Sequence, residues 1–283
     1  MLRKIHILFL LGLGFILAQA QETIPFRLTK YNNIIVKALV NHKDSLHLMF
    51  QIAMQDASIS PERTRKADHI TFSSDDISDN NTLQIAQITK TNIRFFNNEL
   101  TGHEADGKIG TGLFSGKVFK IDYDNNRFVV YDQLPDIKGY QAIPLYPERD
   151  QLYINANNII DNKAQEGHFL LQSGYSGGLL YSNQFAEENE LDKRLKITTE
   201  KTLKDSSGKS VITKQGILPQ LKIGGIIMDQ VSAGFFAGDI KTHKVNYFGA
   251  DTLRRFIWIF SADRTTAYIK PSKYFTAPYY KIN

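Results

Sequence analysis

The clearest indication of the fold of this chain is the stretch His168-Phe-Leu-Leu-Gln-Ser-Gly-Tyr-Ser-Gly-Gly-Leu-Leu180. An apolar run stops at Gln172, gives way to a polar turn bounded by glycines, and becomes apolar again at Leu179. This pattern is typical of a strand that ends in a tight turn, because glycine permits backbone conformations and close approaches that other residues resist. We call residues 172–178 the second elbow.

A weaker version of the pattern lies roughly 120 residues earlier, in Leu46-His-Leu-Met-Phe-Gln-Ile-Ala-Met-Gln-Asp-Ala-Ser-Ile59. Here a strand-like run ends at Gln51, which is followed by Ile52, Ala53 and Met54. We call residues 51–54 the first elbow. The alternative interpretation is an amphipathic strand followed by a helix start. The ordered segments that follow both elbows favour a repeat.

Each elbow is followed by a short helix candidate, a polar stretch, an apolar-glycine step and a hairpin pattern. The steps are Ile109-Gly110 and Phe248-Gly249, and the hairpins cover residues 118–130 and 257–269. Two such ordered sets predict a duplicated β-lobe. Residues 21–136 form the first predicted lobe and residues 137–283 the second, with the join marked by a cluster of Pro135, Asp136 and Gly139.

The remaining periodicity also predicts a mainly β protein. Strand patterns rich in β-branched and aromatic residues cover Ile34–Val40, Ser45–Gln51, Gly116–Val130 and Ile257–Ile269. Helical patterning is sparse: Asn183–Leu195 with Asn183 as N-cap, and a shorter candidate at Ser60–Ala67. The predicted fold class is all-β, with two similar β-barrel-like lobes and a few short helices.

The two elbows resemble the active-site elbow of the aspartic peptidases of the pepsin and retropepsin type, apolar-Asp-Thr/Ser-Gly-x-Ser. Gln51 and Gln172 stand where that family keeps its two catalytic aspartates. The second elbow keeps Ser173, Gly174 and Ser176, whereas Ile52 and Ala53 of the first elbow depart from the pattern. The resemblance implies a two-lobed chain that holds an extended peptide between its lobes.

The same resemblance implies two flaps that close over the peptide, within Ile70–Phe96 and Lys204–Ile217. Tyr175 and Phe114 are aromatic candidates for the groove, with the protein core as the alternative place for both. In this family two carboxylates share one proton, so that one activates water while the other donates to the substrate carbonyl. Glutamine does not ionise in this range. A facing pair of glutamines would still exchange hydrogen bonds, and we expect an inactive peptidase with a retained peptide-binding cleft.

An active hydrolase is the alternative. Asp56, Asp106 and Asp251 are acids near the elbows or glycine steps, but residues 168–186 supply no acidic partner. An aspartic endopeptidase would therefore need a non-standard acid pair. The run Gly174–Gly178 also matches the G-x-S-x-G turn of α/β-hydrolases and, with Tyr175 in place of aspartate, the Gly-Asp-Ser-Gly-Gly run of trypsin-like proteases. Both matches would make Ser176 a nucleophile, with His243 the one histidine that follows it.

Composition limits the other classes of function. The chain of 283 residues has a net charge of +5, and removal of Arg3 and Lys4 leaves 32 basic against 29 acidic side chains. This excess of basic side chains is too small to indicate a nucleic-acid partner. Residues 1–20 have the basic start, apolar centre and Ala-Gln-Ala end of a signal peptide, which predicts a secreted or periplasmic protein without a membrane span. We expect a monomer. The absence of cysteine excludes disulfides. We expect no cofactor, and no metal, since His42 and His47 fit a solvated turn better.

Overall fold

The computed structural model describes residues 21–204, 210–239 and 241–281. The predicted signal peptide lies outside these residues. Within the described ranges, no helix has both the length and the apolar character needed to cross a membrane.

In the first half of the chain, the described residues form ten strands and a short 3-10 helix. The strands are β1 Gln21–Pro25, β2 Arg27–Leu28, β3 Ile34–Val40, β4 Asp44–Phe50, β5 Ala57–Ile59, β6 Ile77–Ile85, β7 Ile88–Phe96, β8 Gly107–Ile109, β9 Val118–Asp122 and β10 Arg127–Tyr131, and the 3-10 helix is Thr111–Phe114.

In the part of the second half that the structure describes, there are eleven strands and three short helices. The strands are β11 Gln141–Pro144, β12 Tyr146–Glu148, β13 Gln151–Ile160, β14 Lys163–Gln172, β15 Leu179–Leu180, β16 Lys196–Lys204, β17 Ser210–Ile223, β18 Ile226–Gly238, β19 Asn246–Gly249, β20 Phe256–Phe260 and β21 Thr266–Pro271, and the helices are α1 Asn183–Glu188, α2 Leu191–Arg194 and α3 Ala250–Leu253.

Two closed rings of six strands form the lobes. The first ring runs β3-β4-β8-β5-β7-β6 and closes through the pairing of β6 with β3. The second runs β13-β14-β19-β15-β18-β17 and closes through the pairing of β17 with β13. Each pair has the same direction in both rings; for example, β4–β8 and β14–β19 are both parallel. The predicted all-β fold with two similar lobes is confirmed.

A third sheet joins the lobes, in the order β1-β10-β9-β20-β21-β11. Each half supplies an outer strand and a hairpin, and the halves meet where Ile121 of β9 pairs with Trp258 of β20. A column of parallel rings crosses this junction, with centroids 4.4 Å apart for Phe114–Phe119, 4.6 Å for Phe119–Phe260 and 5.6 Å for Trp258–Phe260. Phe114 is therefore a core residue, which is the second of the two places considered for it.

The longer helix candidate is broken in two. The N-cap is Ser182, whose side chain accepts a hydrogen bond from Phe185 N, and not the predicted Asn183. Glu190 has left-handed backbone geometry (φ 48°), which ends the helical path between α1 and α2. Thus the sequence predicted the position of the helical segment correctly but missed its interruption.

The shorter helix candidate, Ser60–Ala67, is a series of turns. The carboxylate of Asp106 accepts hydrogen bonds from Thr64 N and Arg65 N, both at 3.1 Å, and from Thr64 Oγ1. Backbone N–H groups that a helix would direct along its axis are instead turned towards this buried acid. The helix prediction failed because it took no account of a residue some forty positions away.

The two flap regions have different structures. Ile70–Phe96 contains the hairpin β6–β7, and both of its strands belong to the first ring. Lys204–Ile217 falls partly outside the described residues. Lys204 ends β16, and residues 210–217 lie in β17, which pairs with β16 and β18. The predicted lobe boundary at 136–137 lies between β10 and β11.

Candidate functional site

Each elbow is held by the glycine step of its own lobe. In the first lobe, Gln51 N donates to Ile109 O (2.9 Å), so the chain leaves β4 against the end of β8. In the second lobe, Gln172 at the end of β14 pairs with Gly249 of β19. The strands that carry the two glutamines therefore end at equivalent places in the two rings.

Both steps require glycine for the same steric reason. A Cβ on Gly110 would lie 2.4 Å from Met54 O, and a Cβ on Gly249 would lie 2.3 Å from Gly177 O. These contacts involve backbone atoms, which cannot move aside as a side chain can. Close packing of step against elbow thus explains the predicted glycine positions in both lobes.

Ser173 links the two lobes. Its hydroxyl accepts a hydrogen bond from Ile52 N (2.9 Å) and donates towards Phe50 O (2.8 Å), with Gln51 Oε1 also within 3.0 Å. Ser173 is buried. The link is one-sided, because the equivalent residue of the first elbow, Ile52, has no side-chain donor or acceptor to return it.

The two glutamine side chains approach each other over Gly174. The point where a Cβ on Gly174 would sit lies 2.6 Å from Gln51 Nε2 and 3.2 Å from Gln172 Oε1. Gln172 Oε1 accepts from Gly174 N (3.2 Å). Neither amide donates to the other among the described hydrogen bonds, so Ser173 and not a glutamine pair provides the direct connection between the elbows. Both glutamines are partly exposed.

Two asparagines of the first lobe also bind the second elbow. Asn33 Nδ2 donates to Ser173 O (2.9 Å), and Asn32 Nδ2 donates to Ser176 O (3.1 Å). Neither asparagine was predicted from the sequence to belong to the site. Asn32 has a left-handed backbone (φ 66°), and the Asn-Asn pair just before a strand is the signal that was available.

The acids considered as substitutes have other partners. Asp106 is buried and binds the Ser60–Ala67 turns; burial raises its pKa, but hydrogen bonds from His47 N, Arg65 and Thr64 outweigh this and lower it overall. Asp251 is buried beside Arg254 Nε (2.9 Å) and Arg255 Nη2 (3.4 Å). Burial raises the pKa of Asp56, and the charges that act on it belong to Arg94, Asp150 and Asp79. None of these carboxylates hydrogen-bonds to a described elbow side chain.

Ser176 does not show the environment of a serine nucleophile. In the described part of the chain its hydroxyl has no hydrogen bond to a histidine, and the ring of His243 packs instead on Phe236 and Tyr247, at 5.5 and 4.7 Å. The all-β rings also exclude the alternating strands and helices of an α/β-hydrolase. Burial lowers the pKa of His243.

The other elbow residues flank this centre. Ile52 is fully buried, whereas Ala53 is partly exposed beside it. Burial raises the pKa of Tyr175 to about 12. Tyr175 lines a cavity of about 300 Å³ together with Leu180 and Phe235. Of the described residues, no three His, Asp or Glu side chains are placed to hold a metal ion.

Comparison with known proteins shows similarity at the level of fold. No protein-family model matches the chain, and no curated protein matches it. Among solved structures, the aspartic proteinase from Irpex lacteus matches 91% of this chain and 99% of its own, with a TM-score of 0.58 and 10% sequence identity. The chain therefore has the two-lobed β fold of an aspartic proteinase.

Proposed function

We propose that this protein is a secreted, catalytically inactive relative of the aspartic peptidases that binds an extended peptide segment between its lobes. The observation that carries the proposal is the meeting of Gln51 and Gln172 over Gly174, at the elbow ends of equivalent strands. An amide there neither accepts a proton from water nor returns one to a leaving group. It does donate and accept hydrogen bonds, which suits recognition of a peptide backbone.

The exposure of the elbows supports a binding role. Gln51, Ala53, Gln172 and Tyr175 are partly exposed, while Ser173 beneath them is buried. The amide oxygens of both glutamines take part in elbow contacts, Gln51 Oε1 with Ser173 Oγ and Gln172 Oε1 with Gly174 N, whereas neither Nε2 group donates in a described hydrogen bond. Amides that are held in place and can still donate need little reordering when a peptide carbonyl binds.

Hydrolysis of casein from acid to neutral pH tests for catalysis. We expect no turnover at any pH, and no effect of pepstatin. Pepstatin-sensitive turnover would show that an unrecognised acid pair works in place of the glutamines. Turnover blocked by a fluorophosphonate that labels Ser176 would instead establish the serine hydrolase, and Ser176→Ala would then abolish it.

Binding is tested separately with a fluorescein-labelled library of random eight-residue peptides. We expect Gln51→Leu and Gln172→Leu each to weaken binding several-fold, because each removes a partly exposed amide and leaves a side chain of similar size without a hydrogen-bonding group. Gln165→Leu in β14, away from the elbows, is the matched control. Equal binding by all three variants would contradict a peptide site at the elbows.

Restoring both acids asks whether only the carboxylates are missing. We expect the double variant Gln51→Asp/Gln172→Asp to show little or no casein hydrolysis. Ile52 provides no hydroxyl to complete a reciprocal link between the elbows, so the two acids would lack the positioning on which a shared proton depends. Turnover well above that of the unmodified protein would show that the first elbow is already adequate for catalysis.

The predicted signal peptide supports a location outside the cytoplasm. Its basic start, apolar centre and Ala18-Gln-Ala20 site support cleavage before Gln21, the first residue of β1. Mass spectrometry of the protein exported by a bacterial host is expected to give a chain that starts at Gln21. An exported chain that still carried Met1 would contradict the cleavage.

A further inference from the structure

The last described residues of the chain return to the second elbow. We call residues 272–281 the C-terminal strap. Two arginines hold its path: Arg255 Nη1 donates to Phe275 O (2.9 Å) and Tyr274 O (3.2 Å), and Arg254 Nη2 donates to Pro278 O (3.2 Å). Three backbone carbonyls bound in this way give the strap a defined course over the second lobe.

The tip of the strap contacts both lobes. Tyr279 Cε1 lies 3.2 Å from the point where a Cβ on Gly178 would sit, so the ring packs on the second elbow. The ring of Tyr280 lies edge-on to the ring of Tyr31 in the first lobe, with centroids 5.9 Å apart. Tyr31 immediately precedes Asn32, which binds Ser176 O. The tip therefore sits where the first lobe meets one end of the second elbow.

Three separate contacts recognise the tip. The guanidinium of Arg255 lies 3.5 Å from the ring centroid of Tyr279, a cation–π contact made by a nearly fully buried arginine. The carboxylate of Asp251, also buried, accepts a hydrogen bond from Tyr280 N. Tyr31 provides the aromatic surface for the second ring. Together they fit a backbone N–H and two consecutive aromatic side chains.

Open space lies beside the tip. Tyr279, Tyr280 and Lys281 form one wall of a cavity of about 590 Å³, and residues of β16, β17 and β18, among them Gln215 and Ser232, form the rest. A segment that displaced the tip would enter next to this cavity, from the side of the second elbow.

We infer that this end of the groove is a binding site for a segment with two adjacent aromatic side chains, and that Tyr279–Tyr280 occupy it from within the chain. The inference rests on the proposed peptide groove and specifies one ligand class for it. A tethered occupant has an effective concentration in the millimolar range, so an incoming segment must compete with it. Peptide binding at this end is therefore self-limited.

The strap itself supplies the probe. The peptide Thr-Ala-Pro-Tyr-Tyr-Lys, residues 276–281, is labelled with fluorescein and titrated with the full chain and with Tyr279→Ser/Tyr280→Ser. We expect saturable binding to the double variant at least tenfold tighter than to the unmodified chain, because the positions of the two aromatic rings are then vacated. Tyr146→Ser, at an exposed tyrosine of β12, is the matched control and should bind as weakly as the unmodified chain.

Two outcomes would overturn the inference: equal binding by the double variant and the unmodified chain, or equal binding of a Thr-Ala-Pro-Ser-Ser-Lys peptide. If the double variant does not fold, Tyr280→Ser alone decides, because it keeps the contact between Arg255 and Tyr279. It should bind the probe more tightly and speed amide exchange in residues 176–178, and no change in either contradicts the inference. Casein hydrolysis bears only on the proposed inactivity, so the two proposals fail separately.

Discussion

At the scale of single residues, Ser173 has the most consequential position in the site. Its hydroxyl accepts a hydrogen bond from Ile52 N and donates one to Phe50 O in the other lobe, and all three residues are buried. Ser173→Ala leaves a donor and an acceptor without partners, each of which costs about 1–3 kcal/mol when buried. We expect the free energy of unfolding to fall by about 2–4 kcal/mol in urea titrations.

Ser176→Ala is the control, since it removes the same atom three residues away in the same elbow. The hydroxyl of Ser176 makes none of the described hydrogen bonds, and the residue is partly exposed. We expect a change within about 0.5 kcal/mol for that variant. Equal losses in both variants would show that Ser173 does not connect the lobes in solution.

Asp106 shows how one acid determines a local structure. Its folded pKa lies below the ordinary value, so the carboxylate stabilises the fold fully above about pH 4, and this contribution is lost as the pH falls through the lowered pKa. We expect Asp106→Asn to be less stable at pH 7 and to lose less additional stability between pH 4 and pH 2. Urea titrations over that range measure the difference.

Asp161→Asn is the matched control for the loss of stability at pH 7. Asp161 is an exposed acid paired with Arg194, with a left-handed backbone that asparagine also accepts. We expect its free energy of unfolding at pH 7 to lie within about 1 kcal/mol of that of the unmodified protein. A pH profile of Asp106→Asn parallel to that of the unmodified protein would mean that the hydrogen bonds from Thr64 and Arg65 do not favour the ionised form of Asp106.

At the scale of elements, the elbow and its glycine step behave as one unit that occurs twice. Gly110→Ala and Gly249→Ala both place a Cβ within 2.4 Å of a backbone oxygen. We expect each to destabilise the protein by about 1–3 kcal/mol or more, a typical cost of overpacking. Thermal melting followed by circular dichroism measures both.

Gly225→Ala is the matched control for the glycine steps. Gly225 lies between β17 and β18, and its added Cβ would approach only the flexible end of Gln141, at 3.1 Å. It should melt close to the unmodified protein. If only one of the two step variants were destabilised, the steric equivalence of the two lobes would be lost.

Element by element, the sequence was informative where a pattern is local. Ile34–Val40 is both the predicted and the observed strand, because alternation and β-branching record its buried face. The glycine steps could be predicted because close packing there excludes other residues, so that an apolar-glycine pair occurs in both halves of the sequence. Other features depend on partners far along the chain. The Ser60–Ala67 turns depend on Asp106, and the roles of Asn32 and Asn33 depend on the second elbow. A local sequence pattern does not indicate such partners.

At the scale of the whole molecule, a six-stranded sheet joins the two lobes. Its two halves meet through β9 and β20 and through the ring column from Phe114 to Trp258. Both hairpins were predicted from the sequence, but their junction was not. Pairing between two hairpins adds no periodic pattern to the sequence of either hairpin. The shared sheet predicts that both lobes unfold together, in one calorimetric transition.

Arg264 tests that coupling between the lobes. From the second half it donates to Lys117 O (2.9 Å) and Phe114 O (2.7 Å) of the first, and its guanidinium lies 4.6 Å from the ring centroid of Phe119. Since alanine also carries a Cβ, Arg264→Ala leaves the cost of the left-handed backbone (φ 59°) unchanged and removes these contacts together with a local hydrogen bond to Ser261 O. We expect the free energy of unfolding to fall by about 2–4 kcal/mol, because hydrogen bonds from a charged group are lost.

Scanning calorimetry of Arg264→Ala should show one transition at a lower temperature. Arg94→Ala, which breaks an exposed ion pair, is the control and should change the transition temperature little. A split into two transitions for the unmodified protein would show that the lobes are independent, and an unchanged melting temperature for Arg264→Ala would show that Arg264 does not couple them.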